Sequence, residues 1–261
     1  MPRPPARTVI ASTLSAAALL STSACSLGDL DKAIRGVPEA VTPADPTTAP
    51  PTPAAAPTLT EAQARAALIG EDDLGGGWAA TQGFATWRDS MLKASAESAD
   101  CGRLLDALYT EELFGPEART RASVGLDDEW SGAQLRYQVV AHRPADLDRT
   151  LAWLGSLPEK CGEFIATAGD GEMAVEVSAA EMPEVGDARV GLRIVLSAVS
   201  EDEDADAPTL TLHVAAIRVG DDAITLTNGG LAEVPSDATS AAVELGARRL
   251  TEARKRGRED V

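Results

Sequence analysis

The sequence is short of several residue types on which common chemistries depend. In 261 positions it holds nine aromatic residues, two histidines and three cysteines, and its only lysines are Lys32, Lys93, Lys160 and Lys255. Neither His142 nor His213 has a cysteine beside it, so the ligand set of a structural or catalytic zinc site is missing. No Cys-x-x-Cys spacing marks a thiol redox centre, and no Gly-x-Ser-x-Gly elbow marks a serine hydrolase. The run Gly75-Gly76-Gly77 lacks the Lys-Ser/Thr that completes a phosphate loop. Positive charge is also scarce: 23 basic against 41 acidic residues give a net charge of −18. That balance argues against DNA or RNA as a partner, which requires clustered cations to displace counterions. It equally removes any electrostatic attraction to an anionic bilayer.

What is present begins with an export signal. Arg3 and Arg7 precede an uncharged run from Thr8 to Ala24, the layout of a secretory signal peptide. The apolar part, from Val9, is shorter than the ~20 residues that span a bilayer. The run ends in Leu19-Leu20-Ser21-Thr22-Ser23-Ala24-Cys25, which resembles the lipobox of bacterial lipoproteins, with Thr22 where that motif usually has Leu. The resemblance implies cleavage before Cys25 and acylation of its thiol, so residues 1–24 are expected to be removed and the protein to sit on the outer side of the cell membrane, held by lipid such as palmitate. The alternatives are cleavage at another small residue, leaving a secreted protein, and an uncleaved anchor. With Cys25 lipidated, Cys101 and Cys161 remain, and an even pair in an exported protein is most simply a disulfide.

Residues 25–58 read as the lipidated cysteine and a linker. Between Gly36 and Pro57 seven prolines alternate with Ala and Thr, a composition that stays extended and solvated. Some thirty such residues reach up to ~100 Å at ~3.1 Å each. About 200 residues are left for one domain, expected over 59–255, with 256–261 a disordered tail.

Within that domain the patterns are mixed. Thr60 with Gln63 is a capping box opening a short helix. Trp78 to Trp87 reads as a strand, Ala94 to Tyr109 as a helix bearing Cys101, and 119–126 with 133–141 as an antiparallel pair joined by an acidic turn. In the second strand Leu135, Tyr137 and Val139 face the core while Gln134, Arg136 and Gln138 face water. Pro144 starts a helix that Pro158 interrupts, and Glu159 to Ile165 forms a short turn bearing Cys161. The rest alternates as strands near 175–177, 188–197, 210–217 and 223–226, with Gly220-Asp221-Asp222 turning the last hairpin. Ser236 caps a final helix to Lys255 that packs through Ala242, Leu245, Leu250 and Ala253, and its basic end suits the negative helix terminus. The expected fold is α+β, an antiparallel sheet flanked by helices in a single extracytoplasmic domain.

Candidate chemistry is sparse. His213 falls on the opposite face from Leu210, Leu212 and Val214 in its strand pattern, and His142 ends a strand; both read as structural. The run Glu201 to Asp206 lacks the Gly and Glu of a calcium loop, having Asp206 and Leu212 at those positions, and reads as a solvated loop. No catalytic residue, metal site or cofactor is therefore expected, and the chain is not expected to be an enzyme.

A lipoprotein signal, a Pro/Thr/Ala spacer, a helix followed by Leu74-Gly75-Gly76-Gly77-Trp78, Cys101 on the next helix, a hairpin, and Cys161 after a Leu-Trp helix together resemble the extracellular sensor domain of the PknH receptor kinase and its stand-alone lipoprotein relatives in high-GC Gram-positive bacteria. The resemblance runs from about Leu59 to Lys255. It implies an antiparallel sheet flanked by helices with a cleft for an envelope ligand, and so a non-catalytic sensor-like or ligand-binding module. The chain departs from the kinase version in having one disulfide pair instead of two, and no kinase domain or membrane span is expected. The expected partners are the membrane, through Cys25, and a small-molecule, lipid or wall ligand or another envelope protein; the residues that would line a ligand site are unknown at this point.

Overall fold

A computed structural model describes residues 59–83, 85–169, 171–199, 207–231 and 234–259, all within the compact unit Ala54–Val261. The signal, Cys25, the linker and the acidic run Glu201–Asp206 lie outside the described residues.

The chain enters through α1 (Glu61–Ala66), whose capping box forms as the sequence predicts: Gln63 N donates to Thr60 Oγ1 at 3.2 Å and Thr60 N to Gln63 Oε1 at 2.8 Å. A 3-10 turn (Glu71–Asp73) leads to strand β1 (Trp78–Ala80). The expected strand to Trp87 stops there, because the segment that follows turns across the sheet into a π-helical turn, Arg88–Leu92. Strand β2 (Ser95–Ala96) then pairs with a distant strand, so helix α2 (Ala99–Thr110) begins five residues later than expected.

Strands β3 (Arg119–Asp128) and β4 (Gln134–Ala141) form the expected hairpin. Helix α3 (Pro144–Lys160) starts on Pro144 but runs through Pro158. A mid-helix proline costs about 3 kcal/mol; here the last turn is retained by fully buried Leu157 and by the hydrogen bond from Cys161 N to Leu157 O at 2.7 Å. The expected separate turn at 159–165 is instead the end of α3 followed by β5 (Glu163–Ala168). A meander of β6 (Gly171–Ala179), β7 (Ala188–Ala198), β8 (Thr209–Val219) and β9 (Asp222–Gly230) completes the sheet. Helix α4 (Ser236–Glu259) continues past Lys255, so 256–259 belong to the helix and not to a disordered tail. Its last turn is docked on α1, where Gly257 lies close against the Gln63 side chain.

The nine strands form one antiparallel sheet in the order β1-β3-β4-β9-β8-β7-β6-β5-β2. The fold is thus α+β, as expected. Helices cover opposite faces at opposite ends. α1 and α4 bury Leu135, Tyr137, Val139, Ile217, Ile224 and Leu226, while α2, α3 and the π-helical turn bury Val175, Leu192, Ile194, Leu196, Leu212 and Val214. Close approach of α4 requires Gly246: a Cβ there would lie 2.2 Å from Tyr137 Oη, whose hydroxyl donates to Ala67 O at 3.2 Å.

This offset layering corrects the expected wet face of β4. Gln134 and Gln138 are buried. Gln134 Nε2 donates to Gly83 O at 3.1 Å and Asp127 Oδ1 at 2.9 Å, its Oε1 accepts from Ala85 N at 3.3 Å, and Gln138 Oε1 accepts from Thr225 Oγ1 at 3.3 Å. The segment crossing from β1 supplies Gly83 O and Ala85 N to Gln134, Asp127 on β3 takes its second N–H, and Thr225 on β9 meets Gln138, as burial of amides requires.

The disulfide forms between Cys101 and Cys161 with Cα atoms 5.6 Å apart, joining α2 to the end of α3. Asp100 strengthens that junction by accepting from Trp153 Nε1 and Lys160 Nζ, each at 2.9 Å.

Candidate ligand-binding site

The π-helical turn is held by an ionic cluster in which Arg88 is buried and Glu111 and Arg136 are partly so. Arg88 Nη1 lies 3.1 Å from Glu111 Oε1, and Arg88 Nη2 donates to Tyr109 O at 2.7 Å. Arg136 on β4 takes the same carboxylate with two hydrogen bonds, at 3.0 and 3.1 Å. Such bidentate pairs fix geometry as well as charge. Glu111 caps α2 in the left-handed region, φ 61°, a conformation uncommon outside glycine. The cluster connects residues 23 and 25 positions apart and therefore has no local sequence signal.

Beside Arg88, Trp87 and Met91 face the sheet end where the β5–β6 turn, the end of β7, the start of β8 and the end of β9 converge. Together these enclose a cleft of about 470 Å³. Its floor is apolar and buried: Trp87, Met91 and Met173. Its rim carries Val199 and Leu231, which are 53% and 51% exposed. Trp87 fits because Gly229 has no side chain; a Cβ there would stand 3.4 Å from Trp87 Cη2 and 2.2 Å from Leu212 Cδ2. Thioether side chains repack readily, so two methionines make this floor adaptable.

The polar content of the cleft is small. Ser90 Oγ is turned back to the carbonyls of Thr86 and Trp87, at 3.4 and 3.3 Å. Among the described residues of the lining Glu172 alone is charged, and its carbonyl accepts from Val199 N at 2.9 Å. A concave, mostly apolar site with few polar groups is the usual form of a small-molecule pocket. Among the described residues this lining contains no histidine, cysteine, lysine or arginine.

Of the residues singled out from the sequence, His213, His142 and the basic end of α4 lie elsewhere and apart from one another, while Cys25 and Glu201–Asp206 lie outside the described residues. His213 sits mid-β8 on the α4 side, paired across the sheet with Arg193 and Asn228. Burial lowers its pKa, against a hydrogen bond to the Val234 backbone that raises it. His142 follows β4, with Nε2 3.6 Å from Asp146 Oδ2. Burial raises the Asp146 pKa, but Arg143 and Arg149, also on this carboxylate, bring the net shift below the ordinary value. The basic end of α4 is used in docking the helix: Arg249 donates to Asp73 at 2.6 and 2.8 Å and to Leu68 O, and Arg254 pairs with Asp222. Burial raises the Asp222 pKa, and Arg254 counters it. Among the described residues no three of His, Cys, Asp and Glu gather in a way that could hold a metal ion, and no helix is long and apolar enough to cross a membrane.

No family model matches the chain and no curated protein matches it. Among solved structures, the crystal structure of the extracellular domain of PknH from Mycobacterium tuberculosis aligns over 76% of this chain and 97% of that one, at 11% identity and a TM-score of 0.42.

Proposed function

We propose that this protein is a lipid-anchored, extracytoplasmic binding module, sensor-like and non-catalytic, whose cleft takes an apolar envelope ligand with an uncharged or cationic polar end. The observation that carries the proposal is the cleft: a buried floor of Trp87, Met91 and Met173 below a rim that leaves Val199 and Leu231 half exposed. Exposed apolar side chains around a concavity favour an occupant that covers them. Glu172 at the lining and the net charge of −18 disfavour an anionic one. Anchoring rests on the lipobox-like stretch ending in Cys25, and export is supported by the disulfide joining Cys101 and Cys161, since such bonds persist in oxidising compartments.

The test uses the Cys25→Ala protein, which lacks the acyl chains that would compete, and Nile red, an uncharged apolar dye. Saturable binding is expected. It should weaken about tenfold or more in a Val199→Asp/Leu231→Asp variant, corresponding to about 1.4 kcal/mol. Both changed residues are half exposed, so the fold tolerates them. Binding that does not saturate, or that the rim charges leave unchanged, contradicts the proposal.

A further inference from the structure

Of the four tryptophans, Trp87 and Trp153 are buried and Trp78 is partly so, but Trp130 is 84% exposed. A single exposed apolar residue is ordinary. What sets Trp130 apart is how firmly its turn is fixed. The buried carboxylate of Asp128 accepts from Trp130 N at 3.3 Å, from Ser131 N at 3.2 Å and from the Ser131 hydroxyl. Glu129 N donates to Gly77 O at 2.8 Å, and Gly132 N to Asp128 O at 2.9 Å. The indole rests on Gly77, where a Cβ would lie 2.2 Å from Nε1 and 2.3 Å from Cδ1. Gly77 itself has φ +99°, so both its conformation and its missing side chain are required. The Leu74-Gly75-Gly76-Gly77-Trp78 stretch thus makes a seat for an aromatic ring that is then left open to solvent.

We propose that Trp130 and its neighbouring carboxylates form a docking surface for a basic, Arg- or Lys-bearing segment of a partner protein. Glu129 precedes Trp130 in the turn and is exposed, and Glu71 and Asp72 are exposed at the start of the loop that ends in Gly77. An exposed indole face attracts a guanidinium or ammonium group, and the exposed carboxylates of this turn and of the loop that seats it complement the same charge in a chain of net −18. Tryptophan is also among the residues on which interface energy concentrates.

The sheet edge beside the ring is not available for strand addition. Ala80 N, on edge strand β1, donates to Glu71 Oε1 at 3.0 Å, and Gln82 N to Asp127 Oδ2 at 3.4 Å. Recognition therefore runs through side chains and not through a backbone ladder. This surface is composed of residues separate from those lining the cleft, so the two sites are tested independently.

The experiment follows the four indole N–H resonances of the Cys25→Ala protein by NMR, with that of Trp130 assigned by its loss in Trp130→Ala. Titration with N-acetylated, C-amidated tetra-arginine at low salt is expected to shift the Trp130 signal saturably. By isothermal titration calorimetry, which needs no signal from the ring, Trp130→Ala should weaken binding about fivefold, and Glu129→Gln should weaken it less. Equal affinity for wild type and Trp130→Ala would show attraction by net charge alone and overturn the proposal. A saturable shift with the hexasaccharide of N-acetylglucosamine but not with the peptide would overturn it in favour of a glycan. No shift with either overturns it outright.

Discussion

Removing the disulfide by Cys101→Ala/Cys161→Ala gives a loss of stability whose size follows from the chain. The bond closes a loop with a sequence separation of 60. In the loop-entropy account, releasing such a loop in the unfolded state costs about 4 kcal/mol. A domain of this size has a total stability of about 5–15 kcal/mol, so the variant remains folded, though with little margin. The native junction between α2 and α3 persists through Asp100, which still accepts from Trp153 and Lys160. With a urea m-value of about 2 kcal/mol/M, the unfolding midpoint should fall by about 2 M, with little change in m. The assay is equilibrium urea unfolding followed by tryptophan fluorescence, with the native bond first verified by mass spectrometry of the unreduced protein. A midpoint shift under about 0.5 M would refute the reasoning, because the unfolded chain would then already hold the two positions near each other. Two free thiols in the native protein would refute its premise.

Three further outcomes are expected. Gly229→Ala places a methyl 2.2 Å from Leu212 Cδ2 and should destabilise the protein by about 1–3 kcal/mol, the usual cost of overpacking; a neutral result in chemical denaturation would mean that Leu212 moves aside freely. Burial depresses the pKa of His213 below its ordinary 6.5. The unfolded chain therefore binds more protons between the two values, and stability is lost as pH falls below about 6.5. Unfolding midpoints at pH 7.5 and pH 5 should show a smaller difference in His213→Gln than in wild type, and identical differences would remove His213 from the account. Cys25→Ala should move the protein from the membrane to the soluble fraction with unfolding behaviour unchanged, whereas loss of folding would mean that Cys25 belongs to the fold.

Local signals were legible where one element decides its own conformation. The Thr60–Gln63 capping box, Pro144 at a helix start, the β3–β4 hairpin and the β8–β9 turn all follow from residue spacing within a few positions. The failures have tertiary causes. Trp87 leaves the expected strand because Glu111 and the Tyr109 carbonyl hold its neighbour Arg88 in a π-helical turn. Pro158 stays inside α3 because Leu157 is buried beside it. Gln134 and Gln138 are covered because other chain segments supply their hydrogen bonds. The cleft was the least legible feature, since Trp87, Met91, Met173, Val199 and Leu231 come from separate segments with no shared pattern. The glycine run was visible, but its role in seating Trp130 depends on a turn some fifty residues away.

Native mass spectrometry of the protein extracted from its own envelope, beside the Val199→Asp/Leu231→Asp variant prepared in the same way, tests the central claim most directly. The account predicts a discrete additional mass, apolar on extraction, that accompanies the wild-type protein and is reduced or absent in the variant. A wild-type protein that carries no adduct under conditions preserving non-covalent complexes, or the same adduct undiminished on the variant, would contradict it.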